Sequence, residues 1–382
     1  MGLSILFVHQ GFELYGSDRV FLQSVSAAAK QWPDARITVL LPRDGLLRAA
    51  LVSIVEDVRV VDMAILRKSS LSIAGVRQTG RFLRKVAAAF RTMRDYDVSY
   101  INTIMVVDYI VAAGFVRRAR MIHVHEMPSG VIAVVFSLYL MWSRAFFVFN
   151  SLATRRSYLV PIWQRWSIVW NGVADCRARS AALSHETLNL LLIGRFNSWK
   201  GQGVLLRAVA LLSPNIHRAV KVRLVGGVFG AQAHFLDDVL KTVTELSLSD
   251  TVEVVPFTPD PSPHYSWADV VVVPSTKPEP FGLVAIEAMS AGRPVIAANH
   301  GGLAEIVIDG VTGSLVVPGS ATSLAAAIVR YAEEPGRVLS EGEAGRKRFA
   351  AEFEESRYKE KIAAILEHLA RQVVAGRKEL TI

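Results

Sequence analysis

Glu279-Pro280-Phe281-Gly282-Leu283-Val284-Ala285-Ile286-Glu287, running on into Ala288-Met289 and then Gly292-Arg293-Pro294-Val295, sets one carboxylate in a loop and a second inside the helix that follows. The loop comes after Val270-Val271-Val272-Val273, an unbroken apolar run ended by Pro274, which predicts a parallel strand buried on both faces. Phe281-Gly282 opens a helix predicted to reach about Ala291. A helix start exposes unpaired N–H groups and a partial positive charge, so the backbone from Gly282 to Val284 is suited to a phosphate, and Gly282 has no Cβ to hold one away. Glu287 lies one turn beyond Leu283 with its side chain leaning toward the helix start, within reach of hydroxyls beside that phosphate. Either glutamate alone reads equally well as a solvated surface residue. The Pro-Phe-Gly between them and the Gly-x-Pro-Val after them favour a site for a polyhydroxylated, phosphate-bearing ligand.

A second segment agrees independently. Leu188 to Ile193 reads as an apolar strand running into Gly194-Arg195-Phe196-Asn197-Ser198-Trp199-Lys200-Gly201-Gln202-Gly203, before an apolar-periodic helix near Val204. Breaking a sugar–phosphate bond leaves negative charge on a diphosphate, and fixed cations and helix-start dipoles can meet it. Arg195 and Lys200 suit that task; the bland alternative is a pair of basic residues beside a turn. Trp199 stands where a P-loop requires glycine before the lysine, so the segment is not one.

On these residues the chain resembles the family-four retaining glycosyltransferases, whose signature is two glutamates separated by seven residues in this context. The resemblance implies a GT-B fold, in which two Rossmann-like parallel-sheet domains face a cleft. It implies that Glu279 binds hydroxyls of a donor sugar, that Glu287 binds the ribose of its nucleotide, and that the amides of Phe281, Gly282, Leu283 and Val284 hold sugar and diphosphate. Arg195 and Lys200 match the basic residues that bind the donor diphosphate there. Met121-Ile122-His123-Val124-His125-Glu126 ends a strand with two histidines on one face. His125-Glu126 is the better match to the family histidine that touches the donor sugar, and His123 reads as a packed strand residue. Tyr15-Gly16-Ser17-Asp18-Arg19 precedes a helix, so Gly16 can approach a phosphate or an acceptor; the family commonly has two glycines here, and Ser17 replaces the second. Asn171-Gly172-Val173 resembles the turn that closes the family's first domain. The likeness is strongest from Leu188 to Pro318, including Gly301-Gly302, Glu305 and Thr312-Gly313, and weakest from Arg43 to Arg120.

Length and pattern fit this organisation. A chain of 382 residues with 51% apolar content is ample for two cores. Predicted strands alternate with helices: Leu3 to His9, Ile37 to Leu41, Val58 to Val61, Val98 to Asn102, Met121 to Val124 and Ala145 to Phe149 in the first half. Leu188 to Ile193, Val220 to Val225, Thr251 to Val255, Val270 to Val273 and Pro294 to Ala297 continue the scheme in the second. The alternation argues for parallel α/β domains. We divide the chain into an acceptor-side Rossmann-like domain (1–172), a linker (173–187), a nucleotide-sugar-binding Rossmann-like domain (188–354), and a terminal helix (355–382). The resemblance has that helix cross back onto the first domain.

Residues 1–172 carry 21 Lys and Arg against 11 Asp and Glu, and residues 173–382 carry 22 against 23, so the halves stand at +10 and −1. Much of the excess falls on a predicted helix from about Ile73 to Arg94. At 100° per residue Arg77, Arg81, Arg84, Lys85 and Arg91 share one side, and Val76, Leu83, Val86, Ala87 and Phe90 the other. Such a helix suits anionic lipid headgroups, an acceptor carrying a diphosphate, or plain solvent. Nucleic acid is a poor fit, since no recognised binding module accompanies the charge. Val131 to Trp142 is nearly all apolar and too short to span a bilayer, which needs about 20 residues, so it is either buried or interfacial. No secretory signal precedes the first strand. Cys176 is the only cysteine, which excludes an internal disulfide, and nothing has zinc-ligand spacing. Asp95-Tyr96-Asp97 sits at the start of a strand and reads as a turn, not a metal site.

The expected activity is that of a hexosyltransferase: retaining, independent of metal and cofactor, moving a sugar from a nucleotide-sugar donor to an acceptor. His125, Glu279, Arg195 and Lys200 are its expected catalytic residues, and Gly16, Phe281, Gly282, Leu283, Val284 and Glu287 its donor-binding residues. The acceptor expected is a saccharide or a lipid-linked saccharide of bacterial polysaccharide or lipopolysaccharide biosynthesis, met by a cytoplasmic protein resting on the anionic inner face of the cell membrane. A non-catalytic sugar-nucleotide-binding partner subunit and a sugar-nucleotide epimerase are the competing readings.

Overall fold

The computed structural model describes residues 2–66, 76–176, 187–228 and 233–379, the side chains of 76–78 and 374–379 excepted. These fall into two compact units, one formed by Met1–Gly172 with Glu355–Ile382, the other by Val173–Glu354. Most of the expected linker, residues 177–186, lies outside the described residues, as does the start of the expected basic helix.

The first unit is built on a sheet of β1 (Ser4–His9), β2 (Arg36–Leu41), β3 (Asp57–Val60), β4 (Val98–Asn102), β5 (Ala119–Val124), β6 (Phe146–Phe149) and β7 (Trp166–Ile168). The order is β3-β2-β1-β4-β5-β6-β7, every pairing parallel. The second unit carries β8 (Leu188–Ile193), β9 (Val220–Gly226), β10 (Val252–Pro256), β11 (Val270–Val273), β12 (Val295–Ala298) and β13 (Gly313–Val316), ordered β10-β9-β8-β11-β12-β13, again all parallel. Each sheet grows to one side of its first strand and then to the other. The direction reverses between β1 and β4 in one unit and between β8 and β11 in the other, and parallel sheets bind ligands at the carboxyl ends of their strands beside such a reversal.

The central strands are apolar on both faces because helices cover both. Ile5, Leu6, Phe7 and Val8 are inaccessible, and Val270 to Val273 nearly so. Two strands escape the sequence pattern. Trp166–Ile168 has three residues, too few for a period, and β13 begins on glycine and serine, which carry no strand preference.

The terminal helix Glu355–Glu379 packs on the helix Gly16–Gln31 and on β4 and β5, inside the first unit. Tyr358, Ile362, Leu366 and Leu369 are each 1% exposed or less. The Tyr358 hydroxyl lies 2.6 Å from Ser24 Oγ, which is itself 3.0 Å from the Tyr100 hydroxyl, so a buried polar thread stitches the last helix to the first helix and to β4.

The helix Val76–Arg94 has a different inner face from the one expected. Phe82, Val86, Ala89 and Met93, spaced four, three and four residues apart, turn inward with Phe90 beside them, while Leu83 is 60% exposed and Ala87 also faces solvent. The buried stripe is rotated by about one residue from the face inferred from periodicity, because packing on a sheet selects one of two overlapping apolar stripes. Its charge is also partly answered: Asp62 takes Arg81 at 3.1 Å and Lys85 at 2.6 Å.

Shortening one fully buried side chain of the terminal helix tests its place in the core. Ile362→Ala should destabilise the first unit by about 2–5 kcal/mol. Denaturant unfolding followed by far-ultraviolet dichroism would read it, and a loss below about 1 kcal/mol would mean the helix is not part of that core.

Candidate active site

The reversal in the second sheet brings together two loops that are far apart in sequence. β8 and β11 are hydrogen-bonded neighbours, with Leu190 opposite Val270 and Leu191 opposite Val271. The loop after β8 carries Arg195 and Lys200, and the loop after β11 carries Glu279. Asn197 Oδ1 accepts from the amides of Trp199 at 3.0 Å and Lys200 at 2.9 Å, curling the first loop. The Thr276 amide then donates to Trp199 O at 2.8 Å, tying it to the second.

Within that frame the Lys200 ammonium donates to Glu279 Oε1 at 2.8 Å, and the Ser275 hydroxyl donates to the same oxygen. The lysine also stands over the Trp199 ring, 4.7 Å from its centroid. Glu279 is only 7% exposed, so the pair is largely withdrawn from water. Such a pair adds little net stability, yet removing one partner strands the other charge. Arg195, in the same loop as Lys200, is exposed, and its carbonyl accepts from the Gln202 side chain at 3.0 Å.

Backbone geometry holds the carboxylate loop in place. Gly302 N donates to Glu279 O at 2.8 Å, and Gly301 has φ +59°, where a Cβ would collide with the Glu279 backbone. Gly282 caps the helix Leu283–Ser290 at φ +127°. The space a Cβ would enter there is filled by Leu303, so packing and backbone conformation require this glycine, where the sequence reading had given the approach of a ligand as the reason. Glu287, on that helix, accepts from the Tyr265 hydroxyl at 2.7 Å. Arg293 holds the Tyr265 segment in turn: it is 4% exposed and donates to Tyr265 O at 3.1 Å and Ser266 O at 3.2 Å. Asn197, Ser275 and Tyr265 were not foreseen, because a lone polar residue in a loop or short helix has no period to mark it.

The first unit has its own constellation at the carboxyl ends of β1, β4 and β5. His9 Nε2 sits 2.8 Å from Asp18 Oδ1, and its Nδ1 is 2.9 Å from Asn102 Nδ2. The other end of the same side chain, Asn102 Oδ1, is 2.9 Å from His125 Nε2, and His125 Nδ1 is 3.4 Å from Asn150 Nδ2. Gly16 begins the helix that carries Asp18, whose second oxygen accepts from the Tyr15 amide at 3.1 Å. A buried polar chain therefore links the Gly16 loop to His125. Burial first, and the charge of His9 second, push the His125 imidazolium down to about 3, so the ring is neutral at ordinary pH. Glu126 is pushed up by burial although Thr103 Oγ1 and the amides of His125 and Ile104 donate to it. His123 is wholly buried against the Tyr100 hydroxyl at 2.6 Å, the packed strand histidine of the sequence reading. Asp97 lies at the amino end of β4 and accepts from Ser4 N at 3.1 Å and Ser4 Oγ at 2.9 Å, a contact between neighbouring strands at the end of the sheet away from these loops.

The second unit's sequence is similar to known proteins. Residues 178–348 match the family described as Glycosyl transferases group 1. A D-inositol 3-phosphate glycosyltransferase of Thermomonospora curvata is 39% identical over 171 residues, covering 44% of this chain and 39% of that protein. The chain thus spans less than half the length of this curated relative. Among solved structures, Anabaena Alr3699/HepE in complex with UDP superposes with TM-score 0.78 at 24% identity, over 96% of this chain and 100% of that one. Its complex with UDP-glucose gives 0.77 at 23%, over the same shares. The fold is therefore that of GT-B glycosyltransferases, two Rossmann-like parallel-sheet domains, and the stretch 178–348 is similar to the glycosyl transferases group 1 family.

Two expectations rest on this geometry. Gly301→Ala should destabilise the second unit by about 1–3 kcal/mol in denaturant unfolding, since φ +59° and the Glu279 backbone both oppose a Cβ there; an unchanged midpoint would show that the turn tolerates a side chain. The second concerns pH. His125 has a folded pKa of about 3 against an ordinary 6.5, so the unfolded chain binds the extra proton and this residue's contribution to stability, full above 6.5, is lost as pH falls toward 3. The stability difference between His125→Gln and the unaltered protein should shift in the variant's favour from pH 7 to pH 5; a pH-independent difference would contradict a neutral, buried imidazole.

Proposed function

We propose that the protein is a retaining glycosyltransferase, independent of metal, that moves a hexose from a nucleoside-diphosphate donor to an acceptor hydroxyl. The observation that carries this is the Lys200–Glu279 pair at the β8–β11 reversal, beside the helix start at Gly282. A cation, a hydroxyl-binding carboxylate and a helix start answer three parts of such a donor: its diphosphate, its sugar hydroxyls and its developing charge. The UDP and UDP-glucose held by the Anabaena protein support a donor of this class.

In this reading Arg195, Lys200 and the amides from Phe281 to Val284 take the diphosphate, Glu279 accepts from the sugar hydroxyls and Glu287 from the ribose. The acceptor oxygen bonds to the anomeric carbon on the face the diphosphate leaves. The carbon–oxygen bond to phosphate breaks with its electron pair going to the diphosphate, whose oxygen takes the hydroxyl proton. His125 and the Gly16 loop complete the proposal from the first unit; a neutral imidazole exchanges hydrogen bonds with a sugar without adding charge. The proposed acceptor is a saccharide or lipid-linked saccharide of polysaccharide or lipopolysaccharide assembly, met at the anionic inner face of the cell membrane.

A thermal-shift panel of nucleoside diphosphates should single out one base, since a ligand that binds only the folded protein raises its melting temperature. With that donor, Lys200→Ala should lower turnover about a hundredfold, or about 3 kcal/mol of transition-state stabilisation. Near-normal turnover in a folded Lys200→Ala protein would end the assignment. Donor conversion without acceptor would point to an epimerase, and binding without transfer or hydrolysis to a silent partner.

A further inference from the structure

The helix Gly130–Ser143 is apolar on the side that faces water. Val131, Val134, Val135, Leu138 and Trp142, which share one face, are 78%, 43%, 55%, 60% and 49% exposed. Its serines point inward: Ser137 Oγ accepts from the Leu159 amide at 2.9 Å, and Ser143 is wholly buried. A helix meant for water has the reverse arrangement. The segment from Leu159 to Gln164 runs alongside, tied at Ser137 and, through the Gln164 side chain, to Ala145 O at 2.6 Å. It presents Leu159, Ile162 and Trp163 at 63%, 98% and 81% exposure. On the other flank Phe115, 58% exposed, meets Trp142 edge to face at 5.2 Å. Contiguous exposed apolar surface on this scale marks a binding face.

Charge identifies the occupant. Residues 98–165 contain seven arginines and two carboxylates, and both carboxylates, Asp108 and Glu126, are turned inward, each accepting from backbone amides. Arg120 donates to Ser143 O at 3.0 Å and Arg144 O at 3.2 Å, which satisfies the end of the helix. Arg144 and Arg165 crowd the same place, and after burial their charges are what hold the Arg120 guanidinium below its usual range. Arg165 donates to the neutral Gln372 side chain, and none of Arg117, Arg144, Arg156 and Arg165 is ion-paired among the described residues. Apolar and tryptophan side chains with unneutralised arginines at the end of the helix match the acyl–headgroup boundary of an anionic bilayer. The helix Val76–Arg94 is the weaker candidate, with Asp62 answering Arg81 and Lys85.

We infer that the outer face of helix Gly130–Ser143, with the Leu159–Trp163 segment, inserts at the interface of a membrane rich in anionic lipid, with Arg117, Arg144 and Arg165 on its phosphates. This assigns a surface to the membrane contact in the functional reading and needs nothing from sugar transfer. No helix among the described residues is long and apolar enough to cross a membrane, so the contact is peripheral.

The test is sedimentation with vesicles of equal parts phosphatidylglycerol and phosphatidylcholine, without any nucleotide, so that its outcome is separate from donor binding. The unaltered protein should bind these and not pure phosphatidylcholine, more weakly in high salt. Ile162→Ser with Trp163→Ser, and separately Val135→Ser with Leu138→Ser, should each weaken binding about tenfold. Arg144→Gln with Arg165→Gln should do likewise and reduce the salt dependence. Melting curves show that each variant is folded, and replacing outward-facing side chains should leave them unchanged. Binding that is absent, indifferent to lipid charge or unaffected by these substitutions would overturn the inference, as would a dimer in light scattering that the serine variants dissolve.

Discussion

A lysine ammonium 2.8 Å from a nearly buried glutamate, at the place where a parallel sheet changes direction, is the constraint on which the arrangement of the second unit's loops depends. Two opposite charges out of water are tolerable only together. Each therefore fixes the other, and Asn197, Ser275, Gly301 and the Thr276–Trp199 backbone bond fix the loops that carry them. A site held this way is charged, preformed and close to neutral overall. A ligand that brings both anionic and hydroxyl groups can replace the internal partner of each residue at once.

The first unit solves a different problem with different means. Its polar chain, Asp18–His9–Asn102–His125–Asn150, is buried and built around a neutral imidazole. Such a chain orients donors and acceptors without concentrating charge. The excess positive charge of this unit lies elsewhere, partly on helix Val76–Arg94 and partly on exposed arginines of residues 98–165.

Some features were legible residue by residue. Continuous apolar runs such as Val270 to Val273 and Leu188 to Ile193 coincide with strands, since a strand covered on both faces can use little else. Glycines and prolines marked the loops, and the glutamates, the arginine and the lysine stood out there by residue type. Short β7, glycine-led β13 and the true inner face of helix Val76–Arg94 were not legible, because three residues carry no period and two apolar stripes one residue apart look alike on a helical wheel.

By itself the sequence determined what is local: which long apolar runs are strands and which loops bear cations and carboxylates, because backbone preference and side-chain period act over a few residues. Tertiary structure alone decided which loops meet. The adjacency of β8 and β11 sets Lys200 against Glu279 across 79 positions of sequence, and the packing of the last helix brings Tyr358 to Ser24 across 334. It also decided that Val131 to Trp142 keeps an apolar face in water, since an all-apolar run reads the same whether a neighbour covers it or not. Pairing between distant strands and the covering of faces depend on the whole chain's burial of apolar surface, which no short stretch encodes.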